Sequence, residues 1–77
     1  MADKAEQRLL DLGFHQVRVR IHGNIARIEI DRGQFEKIIQ PEIAGQLEQY
    51  FRELGLLYVT LDLGGYQMGG MNRTLDI

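Results

Sequence analysis

Cysteine is missing from the 77 residues altogether. That absence removes disulfides, thiolate metal sites and any cysteine nucleophile or sulfur donor from this chain. Proline occurs once and tryptophan not at all. No apolar run approaches the roughly 20 residues that a membrane-spanning helix needs, and no stretch reads as a signal peptide. The expected location is therefore cytoplasmic. An excess of basic charge is also lacking: nine Lys and Arg stand against eleven Asp and Glu, for a net charge of −2. Wholesale binding to a nucleic-acid backbone needs the opposite balance, so any anion site must be local. A chain this short buries only about 60 to 65% of its unfolded surface, and its thin core favours help from a second copy or a partner.

What is present is clearest between Gln16 and Ile30, QVRVRIHGNIARIEI. Apolar and polar residues alternate on both sides of His22-Gly23-Asn24, the pattern of a half-buried β-hairpin. Val17, Val19, Ile21, Ala26, Ile28 and Ile30 share one face, and Arg18, Arg20, His22, Arg27 and Glu29 the other. Before the hairpin, residues 3–12 read as a helix with Asp3 as N-cap and Ala5, Leu9 and Leu12 on its apolar side. Gly13 and Phe14 then supply the glycine and the apolar residue that end a helix. After the hairpin, Asp31 caps a short turn holding Phe35, Ile38 and Ile39, with Gln34 at the capping-box position. Pro41 opens the longest helix, roughly residues 41–54, whose stripe is Ile43, Leu47, Tyr50, Phe51 and Leu54. Gly55 and Leu56 repeat the earlier stop. A last strand follows, with Leu57, Val59, Leu61 and Leu63 inward and Tyr58, Thr60 and Asp62 outward.

The order αββ(α)αβ predicts an α+β chain, a two-layer sandwich resembling part of a ferredoxin-like fold, with its helices on one face of a three-stranded mixed sheet. A crossover from the second strand to a parallel third strand, with the first strand in the middle, gives strand order 2-1-3. Residues 1–77 form a single small domain, and 64–77 its glycine-rich tail.

The uncovered sheet face carries the candidate chemistry. Arg18 and Arg20, two apart on a strand, point the same way and can share one phosphate or carboxylate. His22 is an auxiliary donor and Asp62 shares the face. The same residues also read as ordinary cross-strand pairing, Arg18 or Arg20 with Asp62 and Arg27 with Glu29. His15 and His22 have opposite parities, and no cluster has metal-ligand spacing, so no metal is expected. No catalytic constellation appears, so the chain alone does not read as an enzyme, and it carries no cofactor of its own. In the tail, Tyr66, Met68, Met71 and Asn72 are candidate contact residues for a neighbouring chain. Tyr58 is the only aromatic on the sheet face, which disfavours single-strand nucleic-acid reading.

Three segments in order, LGFHQVRVRIHGNIARIEI, LGLLYVTLDLGGY and MGGMN, resemble the C-terminal region of the PP-loop ATP pyrophosphatase-like family, which includes ATP-dependent sacrificial sulfur transferases of nickel-pincer cofactor synthesis. The resemblance runs from about Leu9 to Asn72. It implies a non-catalytic C-terminal domain that helps assemble oligomers. The ATP-binding SGGxDS loop, with its ATP and magnesium, would lie in an upstream catalytic domain. It also implies that Arg18 and Arg20 face an anionic group of the substrate, with Asp62 at the aspartate of the TLDL motif. Gln67 stands where that pattern has arginine, and Gly70 where it has serine. The alternative from another class is a free-standing interaction module that binds a protein partner through its open sheet face or an edge strand.

Overall fold

The computed structural model describes residues 1–67. Its elements are helix α1 (Ala2–Asp11), strands β1 (Arg18–His22) and β2 (Ile25–Glu29), a 3₁₀ turn (Arg32–Gln34), the short helix α2 (Phe35–Ile38), helix α3 (Pro41–Glu53) and strand β3 (Tyr58–Leu61). The expected α+β sandwich with a mixed three-stranded sheet is what forms. Among the described residues no helix is long and apolar enough to cross a membrane.

Both long helices stop in the same way. The amide of Gly13 donates to Leu10 O and that of Phe14 to Leu9 O. In α3, Gly55 donates to Arg52 O and Leu56 to Phe51 O. Gly13 and Gly55 adopt φ of +96° and +101°, the left-handed conformation that such a stop requires and glycine supplies without a Cβ penalty. The apolar partners of each stop, Leu9 with Phe14 and Phe51 with Leu56, are all buried in the core. The start of α1 differs from expectation. Met1 is the N-cap, no side chain caps it, and Asp3 sits in the first turn. There its charge still suits the helix dipole.

β1 and β2 form an antiparallel hairpin in which Arg18 faces Glu29, Arg20 faces Arg27 and His22 faces Ile25. Its two-residue turn puts Gly23 at φ +61° in the first central position, as a hairpin turn of primed type needs. The strand begins at Arg18 and not at Gln16, because Gln16 itself adopts φ +53° and is not extended.

The strand order corrects the expected 2-1-3. The sheet runs β1-β2-β3, with β2 in the middle and β3 parallel to it. The crossover returns to the free side of the strand it left, and the amides of Leu57 and Tyr58 anchor there on Asn24 O of the hairpin turn. On the outer side of β1, one amide is already engaged by a helix. Glu6 of α1 accepts a 2.8 Å bond from the Val19 amide through its Oε2.

Val19, Ala26 and Ile28 are buried against Ala5 and Leu9 of α1 and Leu47 and Phe51 of α3 in one core. The helices thus cover one sheet face and leave the arginine face open. In β3 only Val59 and Leu61 pack inward. Leu57 and Leu63 are 55% and 76% exposed, and Leu56 is buried in their stead. A turn closed by Gly65 N to Asp62 O ends the strand before Leu63. Gln34 makes no capping box. It accepts from His15 N and donates to Gly13 O, tying the turn to the end of α1.

Candidate functional site

The open face is built in columns set by register. Arg18 and Glu29 form one, Arg20, Arg27 and Thr60 the next, and His22, Ile25 and Tyr58 the third. Arg20 opposite Arg27 places like charges side by side, which costs stability unless an anion intervenes. Glu29 is that anion. Its Oε2 lies 3.6 Å from Arg20 Nε and 3.6 Å from Arg27 Nη1, and its side chain is only 12% exposed. Arg27 Nη1 also donates to Asp62 Oδ2 at 2.8 Å. Arg27, on the central strand, is thus the hub of the face.

Asp62 is held from several sides. Its Oδ1 accepts from Gly64 N at 2.7 Å, and its own amide donates to Ile28 O at 2.8 Å. It acts here as an internal anion that orients Arg27. The pairing expected between Asp62 and Arg18 or Arg20 does not form, because the altered strand order puts β2 between β1 and β3. The expected pairing of Arg27 with Glu29 does form.

Arg20, His22, Arg27, Glu29, Asp62 and Gln67 line an open concavity of about 320 Å³, near the lower end of small-ligand sites. Of the sequence candidates, Arg20, His22 and Asp62 therefore meet in one place. Arg18 is exposed beside it, on the outer strand, and makes no ion pair among the described residues. Two lining residues, Arg27 and Glu29, were visible as members of the face, but only the strand order makes them central. Among the described residues no group of His, Asp and Glu is placed to hold a metal ion.

Of the tail candidates, Tyr66 is half-buried and its amide donates to Ile30 O at 2.7 Å. This bond carries the chain back across the end of β2. Met68, Met71 and Asn72 lie outside the described residues.

No family model matches the chain. It is 50% identical over 72 residues to an uncharacterised protein of Synechocystis sp., covering 94% of this chain and 27% of that protein. It is 44% identical over 71 residues to the pyridinium-3,5-bisthiocarboxylic acid mononucleotide synthase of Lactiplantibacillus plantarum, covering 92% of this chain and 25% of the synthase. The chain thus matches nearly its whole length to about a quarter of each of these longer relatives.

Proposed function

We propose that this chain is the non-catalytic C-terminal domain of a PP-loop, ATP-dependent sulfur-transferase-like protein, working in the cytoplasm. In this reading it self-associates and offers Arg18, Arg20 and His22 to an anionic group of the substrate. The observation that carries the reading is the 44% identity to the synthase across 71 residues, combined with a sheet face on which these three side chains stand exposed. The name of that synthase describes a product with two thiocarboxylic acid groups and a mononucleotide phosphate, the kind of anion that paired guanidinium groups bind by bidentate hydrogen bonds.

In this reading ATP and magnesium belong to the larger remainder of such a protein, and so does any sulfur-donating cysteine, since this chain has none. Arg20 is held only loosely by Glu29, at 3.6 Å and with 49% of its side chain exposed. An ion pair of that kind is worth about 0.2–1 kcal/mol, so a phosphate competes for it readily.

The test is a titration of the ¹⁵N-labelled chain with inorganic phosphate, AMP and a dicarboxylate. Chemical shifts at Arg18, Arg20 and His22 are expected to move together and saturate. Their standing still up to millimolar ligand would overturn the anion-binding role.

A further inference from the structure

The sheet has two edges, and they are not alike. On β1 the Val19 amide is occupied by Glu6. On β3 the amides of Tyr58 and Asp62 donate inward, to Asn24 O and Ile28 O. Alternation along a strand therefore turns the N–H groups of Val59 and Leu61 to the outer side, where no described residue pairs with them. An exposed edge of this kind is a template for another strand.

Beside this edge lies an apolar groove of about 410 Å³ between β3 and the helices, lined among others by Ile38, Ile39, Gly45, Val59 and Leu61. Ile39 on its rim is 63% exposed. Gly45 sits inside α3, where glycine costs helix stability. A Cβ added there meets nothing within 4 Å, so no packing within the described chain calls for glycine.

We infer that the β3 edge and this groove form a two-fold interface with a second copy of the chain, joining two sheets into one of six strands. The sequence of β3 suits its own reversal. With Thr60 on the axis, Val59 lies opposite Leu61 of the second copy on the helix side, and Thr60 opposite Thr60, a favourable cross-strand pair. Val59 and Leu61 are the residues whose amides face outward, so they fall at hydrogen-bonded positions, and Thr60 at a non-hydrogen-bonded one. The same axis reverses α3 beside its copy. Glu48 and Arg52, an exposed pair on α3, then meet their opposites, and Gly45 gives room for the approach. This deepens the self-association in the reading above and does not rest on anion binding.

The absence of cysteine makes the test direct. Two Cα atoms at a non-hydrogen-bonded pair are about 4.5 Å apart, within the range that a disulfide spans. Under mild oxidation Thr60→Cys is expected to form a disulfide-linked dimer about tenfold faster than Glu36→Cys, an exposed control, because the interface raises the effective concentration. Sedimentation equilibrium is expected to show a dimer for the unaltered chain and for Gly45→Ala. For Gly45→Lys, dissociation should become at least about tenfold easier. Circular dichroism checks each fold, and Thr60→Lys, which sets like charges across the axis, is the second disrupting variant. A chain that stays monomeric at high concentration would overturn both this interface and the self-association reading. A dimer in which Thr60→Cys links no faster than the control, and which tolerates Gly45→Lys and Thr60→Lys, would overturn the interface alone.

Discussion

Arg27 and Asp62 stand 35 residues apart in the chain, yet the guanidinium of one donates to the carboxylate of the other at 2.8 Å. This bond fastens the end of β3 to the central strand and fixes the cation around which the open face is arranged. Replacing Arg27 by Met keeps most of the volume but leaves Glu29 and Asp62 without the cation between them. The expected loss is about 1–3 kcal/mol, seen as a drop in Tm of about 4–8 °C per kcal/mol for a domain of this size. A double-mutant cycle with Asp62→Asn should return a coupling of about 0.5–3 kcal/mol.

Glu29 competes with any external anion for Arg20 and Arg27. Glu29→Gln removes that competition while keeping the side chain's size and polarity. Phosphate should then bind about three- to tenfold more tightly, the equivalent of one ion pair of roughly 0.6–1.4 kcal/mol. Isothermal calorimetry or the shift titration measures it directly, and unchanged or weaker binding would contradict the arrangement described.

Arg18 is exposed and unpaired among the described residues. Its replacement by Ala is expected to leave stability within about 0.5 kcal/mol while weakening phosphate binding. A loss of stability without a loss of binding would assign Arg18 to the fold and not to the ligand.

Gly65 adopts φ +77°, and a Cβ placed there would lie 2.9 Å from Arg32 Cγ and 3.1 Å from Ile30 O. Gly65→Ala therefore combines an unfavourable backbone conformation with a close approach to main chain. It should cost about 1–3 kcal/mol. The urea midpoint reports the cost, and faster hydrogen exchange at the Tyr66 amide, which bonds Ile30 O, reports where it falls.

Local features were the legible ones. Alternation around His22-Gly23-Asn24 separated the arginine face from the core face, leaving only Ile25 unplaced, and the spacing of Leu47 and Phe51 marked the buried side of α3, because both periodicities are properties of a few neighbouring residues. Strand order was not legible. Alternation in Tyr58–Leu61 says which side chains turn inward, not beside which strand they lie. From that one choice followed the mistaken partner for Asp62 and the neglect of Arg27 as the hub. The Glu6 bond to the Val19 amide was equally hidden, since an acid on the polar side of a helix carries no mark of the distant amide it meets. Leu57 and Leu63 obeyed the alternation on either side of the stretch Tyr58–Leu61 that the strand actually occupies. The turn at Asp62 depends on its side-chain bond to Gly64, a contact that hydrophobic patterning does not register.

The Glu6 bond bears on how the two edges of the sheet compare. A strand laid along β1 would have to displace a carboxylate from the Val19 amide, whereas the outward amides of Val59 and Leu61 have no such occupant among the described residues. One acid on the first helix thus steers a docking strand toward the far edge, as a partial bolt on the near one.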